Sequence, residues 1–266
     1  MLSKLIRYEW KAVARVCIPM YGGLILAAML THFLLGNLER FSSTLYDIIT
    51  MAMSTLCFGL FMAAFVLTLI IQIQRFSKNL LGDEGYLMFT LPASVSQHIT
   101  AKLVVAVLLD VLSVAAAILA VLALALDGTM WLDLPGDFFD MIVYVDWSDW
   151  LLLLELLLLC LAAGAVCMLH IYASIAVGHL ARKHRTLAAF GAYFGFAVAL
   201  NILFTGMLEI FVSSPWMAEI GRWFMGLKGD TGGHLLMWLL ILGIAVLGAG
   251  FFVLTRYLLK NHLNLE

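Results

Sequence analysis

Charge is the first thing this chain lacks. Only 12% of its 266 residues are Asp, Glu, Lys or Arg, while 64% are hydrophobic and the mean hydropathy is +1.04. Ordinary soluble domains are about 25% charged and about 45–50% apolar, so water is not the main solvent of this protein. No polar stretch is long enough to house a folded extramembrane domain, and the lipid-embedded bundle is expected to be a single domain, 1–266. The net charge of −2, without any run of Lys and Arg interleaved with aromatics, gives no footing for nucleic-acid binding. Cysteines number four, and Cys17, Cys57, Cys160 and Cys167 all fall inside apolar segments. A disulfide framework is not expected there, and the four read as small hydrophobes.

Catalytic signatures are also missing. There is no Gly-x-x-x-x-Gly-Lys-Ser/Thr phosphate loop; the nearest stretch, Gly226-Leu227-Lys228-Gly229-Asp230, has the wrong spacing. The chain is therefore not expected to hydrolyse ATP by itself. Neither His-Glu-x-x-His nor Gly-x-Ser-x-Gly occurs, and no pair of carboxylates on one span has the spacing of a catalytic metal site. No catalytic residue and no metal ligand set is assigned, and a membrane-embedded enzyme ranks last among the functions considered. A clear internal repeat, the mark of many secondary transporters, is not visible either.

What the sequence has in abundance is long apolar runs. Leu2, Leu5, Ile6, Trp10 and Val13 recur at helical spacing, with Lys4, Arg7 and Lys11 off that stripe, so 1–13 reads as a basic amphipathic helix lying in the headgroup region. Six segments follow that can each cross the roughly 30 Å hydrocarbon core: Ala14 to Leu35, Ile49 to Ile71, Leu103 to Leu126, Trp150 to Ala176, Leu187 to Val212, and Leu235 to Leu258. The expected fold is all-α and polytopic, with six transmembrane helices.

Twelve of the 15 basic residues fall at the N-terminus, between the second and third spans, between the fourth and fifth, and at the C-terminus, which places both termini in the cytoplasm. The opposite loops carry Arg40, Arg222 and Lys228, together with Asp127, Asp133, Asp137, Asp140, Asp146 and Asp149. Asp133, Asp137 and Asp140 read as a solvated acidic face rather than a cation site. Two loops exceed simple connectors. The segment 72–102 is partly amphipathic, with Phe76, Leu80 and Leu81 set against Arg75, Lys78 and Asn79, and is suited to present a short helix to a cytosolic partner. The segment 213–234, with Pro215, Trp216, Met217, Ile220 and Trp223, is too apolar for a free loop and is expected to dip back into the outer face of the membrane.

The stretch Gly82-Asp83-Glu84-Gly85-Tyr86-Leu87-Met88-Phe89-Thr90-Leu91-Pro92-Ala93-Ser94 resembles the loop between the second and third helices of type-2 ABC permeases. The opening Leu5-Ile6-Arg7-Tyr8-Glu9-Trp10-Lys11, followed by Pro19 and Tyr21-Gly22-Gly23, is similar to small permeases of this group from Gram-positive bacteria. The resemblance covers about the first hundred residues; beyond them it is architectural. It implies a permease subunit of an ABC exporter in a bacterial plasma membrane, without a cofactor of its own. The implied partners are cytosolic ATPase subunits, which would bind ATP and Mg, and a second identical or related permease. The loop would be the coupling element, with Asp83 and Glu84 accepting hydrogen bonds from basic groups of the ATPase and Tyr86 and Phe89 as aromatic anchors. Without the resemblance, the same residues read as a membrane-hugging loop.

Two carboxylates remain. Asp110 and Glu155 lie within the third and fourth spans, where a charge is costly enough to suggest a polar pathway, a proton relay or a hydrogen bond between helices. They are the feature that favours the alternative of an ion-coupled secondary transporter. Gly191 and Gly195 form a Gly-x-x-x-Gly pair, expected to pack within the chain rather than between chains. Cys167 and His170, one turn apart, lack the further ligands a metal site needs.

Overall fold

The computed structural model describes residues 1–38, 43–81, 93–125, 136, 140, 142–181, 183–227 and 229–261. The fold is all-α: helix makes up 93%, with no strand among the described residues. Among the described residues seven helices follow one another: α1 (Leu2–Leu38), α2 (Ser43–Leu81), α3 (Val95–Ala125), α4 (Trp147–Gly178), α5 (Arg185–Ser213), α6 (Trp216–Met225) and α7 (Thr231–Asn261). Six of them, all but α6, are long and apolar enough to cross a membrane.

Every expected span lies inside an observed helix, apart from Leu126, which is outside the described residues. The helices are longer than the spans because hydropathy marks where lipid is the solvent, whereas the backbone hydrogen-bond ladder continues through polar turns. The 37 residues of α1 extend about 55 Å at about 1.5 Å per residue. Residues 1–13, expected as a separate interfacial helix, are the first turns of α1, which runs through Pro19 without a break. The amphipathic stripe read from that segment is packed against protein: Ile6, Trp10 and Val13 join a core with Val105 and Leu109 of α3, while Lys4, Arg7 and Lys11 stay exposed.

The segment 72–102 is helical at both ends. Its first ten residues complete α2, and its last eight open α3. A reciprocal cap starts α3: the Gln97 backbone N–H donates to Ser94 Oγ at 3.3 Å, and the Ser94 N–H donates to Gln97 Oε1 at 3.2 Å. This is the Ser-x-x-Gln capping box, which satisfies two otherwise unpaired donors at a helix start. The segment 213–234 likewise contains a helix, α6, joined to α5 by Ser214 and Pro215.

The chain comprises two compact units, one of Met1–Arg75 and Val104–Val145, the other of Phe76–Leu103 and Asp146–Glu266. In the first, α1, α2 and α3 meet through small residues: Ala28, Ala64, Ala120 and Ala123 are buried together with Leu24. In the second, α4 packs along both α5 and α7. Two glycines on these helices have no room for a side chain. A Cβ on Gly178 would lie 2.6 Å from the Ala189 backbone nitrogen, and one on Gly248 would lie 2.9 Å from Val166 Cγ2. Close helix approach, which in a membrane replaces the hydrophobic effect as a packing force, therefore fixes α5 and α7 against α4. Gly191 and Gly195, expected to pack within the chain, have no atom of the described residues within 4 Å of a would-be Cβ.

Candidate functional site

Asp83, Glu84, Tyr86 and Phe89, the expected partner-binding residues, lie outside the described residues, as do Asp133 and Asp137. Asp140 is described and exposed. Asp110 and Glu155 are both placed, each in a distinct polar arrangement.

In the first unit, polar side chains run along one face of α2 at Thr68, Gln72 and Arg75, spaced four and three residues apart so that they stack one turn above another. Each reaches a different position on a neighbouring helix. Thr68 donates its hydroxyl hydrogen to the Ala64 carbonyl oxygen at 2.8 Å, so Tyr21 of α1 is the donor in the 2.7 Å contact between the two hydroxyls. Gln72, only 4% exposed, donates through Nε2 to Asp110 Oδ1 at 2.9 Å and to the Ala106 carbonyl oxygen at 3.2 Å, both on α3. Its buried Oε1 has no partner among the described residues. Arg75 directs Nε and Nη2, each at 3.0 Å, onto Oε2 of Glu9 in α1.

Asp110 is thus held by a neutral amide in a seam between helices. Ser113, one turn on, donates to the Asp110 carbonyl oxygen at 2.8 Å. Beside the seam lies a cavity of about 180 Å³ lined by Tyr21, Phe61, Phe65, Ser113, Val114 and Ile118 among others. Asp110 is not among its lining residues, and the cavity is apolar with a hydroxyl edge at Tyr21 and Ser113.

In the second unit, Glu155 is fully buried on α4 and its Oε2 lies 2.8 Å from Nδ1 of His234 on α7. The other nitrogen of that imidazole, Nε2, lies 3.0 Å from Ser148 Oγ, and Ser148 Oγ lies 3.1 Å from Asp230 Oδ2. Ser148 sits in the first turn of α4 and Asp230 immediately precedes α7, so the start of each helix and one turn of its interior are tied together. Glu155 Oε1 is buried without a hydrogen-bond partner among the described residues.

The ring of His170 is stacked between Tyr193 of α5, with centroids 4.5 Å apart, and Phe251 of α7, at 5.0 Å. Phe76 at the end of α2 stacks on Tyr172 of α4 at 3.9 Å, with both rings buried.

Sequence reading found both intramembrane carboxylates and missed their partners. By hydropathy Gln72 falls at the start of the 72–102 loop and His234 at the end of the 213–234 segment. A signal existed for the first: Thr68, Gln72, Arg75 and Phe76 continue the helical stripe of the second span. A lone histidine 79 residues from its carboxylate has no such signal. The chain matches no protein-family model, no curated protein and no solved structure in the comparisons made.

Proposed function

We propose that this multi-pass membrane protein is the permease subunit of an ATP-driven ABC exporter in a bacterial plasma membrane, with both termini cytoplasmic. The observation that carries the reading is the acidic-Gly-aromatic stretch from Gly82 to Ser94, which resembles the coupling loop of type-2 ABC permeases. Its flanks suit that role. A partner that does work on a membrane protein needs a stiff element on which to push, and the loop follows directly on α2 and leads into α3 through the Ser94–Gln97 cap.

The anchoring of α2 points the same way. Arg75 grips Glu9 of α1, and one turn earlier Gln72 grips Asp110 and Ala106 of α3. Displacing the loop end of α2 therefore strains contacts to both neighbouring helices, and Asp110 acts as a structural acceptor in that transmission. In this reading Asp83 and Glu84 accept hydrogen bonds from an ATPase subunit and Tyr86 and Phe89 anchor it. ATP and Mg belong to that subunit, and a second permease completes the assembly. ATP binding shifts the membrane subunits only if the loaded ATPase binds one of their conformations more tightly than the other.

The deciding experiment is mass spectrometry of proteins that co-purify with the chain from its native host in mild detergent, compared with a Glu84→Ala, Tyr86→Ala double variant. The expected result is an ATP-binding subunit recovered with the unaltered chain and depleted with the variant. Reproducible absence of such a subunit overturns the reading in favour of an ion-coupled secondary transporter, which rests on the intramembrane carboxylates Asp110 and Glu155.

A further inference from the structure

Counting hydrogens at the α4/α7 start leads beyond transport by ATP. Three contacts join four groups in series: Glu155 Oε2 to His234 Nδ1 at 2.8 Å, His234 Nε2 to Ser148 Oγ at 3.0 Å, and Ser148 Oγ to Asp230 Oδ2 at 3.1 Å. Each needs one hydrogen between its two heavy atoms. A neutral imidazole supplies one and a hydroxyl supplies one, while ionised carboxylates supply none. Two hydrogens cannot fill three contacts. With one added proton the row closes: the imidazolium donates from Nδ1 to Glu155 and from Nε2 to Ser148, and Ser148 donates to Asp230.

We propose that Glu155, His234, Ser148 and Asp230 form a site that binds one exchangeable proton, reached from the exposed carboxylate of Asp230 and held on His234 against the buried carboxylate of Glu155. Loading adds one proton and changes the net charge of the four groups from −2 to −1. The proton enters at Asp230, passes to Ser148 Oγ as Ser148 hands its own hydrogen to His234 Nε2, and leaves His234 doubly protonated. On release, His234 returns the Nε2 hydrogen to Ser148, whose hydroxyl then points at the imidazole instead of at Asp230. No bond between heavy atoms is made or broken.

The surroundings favour a site for a proton. Glu155 is fully buried, and a buried carboxylate needs a compensating charge within hydrogen-bond reach. Among the described residues, no titratable group other than His234 and Asp230 bonds to Glu155 or Ser148. The titratable groups on adjoining parts of the unit are Asp146 and Asp149 on either side of Ser148, Glu209 near the end of α5, and Glu219 and Arg222 on α6. The inference holds whether or not the chain partners an ATPase, because it rests on these four side chains alone.

The test is nitrogen NMR of the full chain in lipid nanodiscs, with imidazole-labelled histidine, over about pH 5 to 9, the range that brackets ordinary histidine titration. His234→Gln assigns the resonance. The expected result is a reversible change between imidazolium and neutral imidazole at His234. In Glu155→Gln, which keeps the shape and removes the charge, proton affinity falls about tenfold or more, and Ser148→Ala gives a smaller fall. A His234 that stays neutral throughout the range in the unaltered chain overturns the proposal without any variant. So does a titration that Glu155→Gln leaves unmoved while the variant elutes and melts as the parent does, since a purely structural contact would shift melting and not proton occupancy.

Discussion

The two units solve the same problem, holding apolar helices together in a solvent as apolar as they are, by different means. In the first, α1, α2 and α3 are joined by side-chain rungs, Tyr21 to Thr68, Gln72 to Asp110 and Arg75 to Glu9, ranged along one face of α2. In the second, the polar contacts of α4 with α7 gather at the helix starts, and elsewhere α4 is closed on α5 by backbone approach at Gly178 and on α7 by the fit of the Val166 side chain against Gly248. Rungs can be lost singly, because each is an independent hydrogen bond. Backbone approach cannot, because one added methyl group separates two helices along several turns.

Gly178→Ala is therefore the change expected to cost most. The added Cβ meets the Ala189 nitrogen at 2.6 Å and the Ala189 Cα at 2.7 Å, and backbone atoms cannot step aside as the end of a flexible side chain does. Unfolding in mixed micelles at rising SDS fraction is expected to show a loss of about 2 kcal/mol, within the range for an overpacked interior. Gly248→Ala, whose Cβ meets only side-chain atoms, Val166 Cγ2 at 2.9 Å and Leu169 Cδ1 at 3.8 Å, is the milder companion. Equal and negligible losses at both positions would remove the distinction between the units.

The rungs of the first unit should weigh less. A double-mutant cycle on Gln72→Leu and Asp110→Asn measures their coupling directly. About 1 kcal/mol is expected, since interhelical hydrogen bonds in membranes are worth about 0.6 kcal/mol on average and up to about 1.7. A coupling larger than the whole loss from Gly178→Ala would reverse the ranking and make α2, rather than α4, the more tightly anchored helix.

How much of this was legible differs for the same physical reason. Span number and position follow from apolar runs, because each run alone decides whether a segment prefers lipid, and the described residues of all six expected spans fall within observed helices. The helix ends were not legible from hydropathy. Ser94 and Gln97 spelled out the start of α3 as a capping box, yet that signal concerns two hydrogen bonds and not solvent preference. Asp110 and Glu155 stood out because a carboxylate in a span is costly. What each carboxylate touches depends on which helices become neighbours, so Gln72, 38 residues away, and His234, 79 residues away, could be found only in the fold. The same applies to glycine: Gly178 carries no motif and is tightly packed, whereas the Gly191 and Gly195 pair carries one and has nothing among the described residues within 4 Å of a would-be Cβ.

The smallest effect completes the comparison. If the first unit is held by rungs and not by backbone approach, its glycines should be dispensable for packing. Gly59 in α2 is exposed and has nothing within 4 Å of a would-be Cβ. Gly59→Ala then adds a methyl group to open space on a helix whose backbone alanine restricts more favourably than glycine does. Stability in the same SDS titration is expected to stay within about 0.5 kcal/mol of the parent, with any change toward greater stability, because helix propensity favours alanine by at most about 1 kcal/mol and a membrane-spanning helix is already formed. A loss comparable to that at Gly178 would mean that something other than the rungs lies against this face of α2, and the face around Gly59 would then be a packing surface.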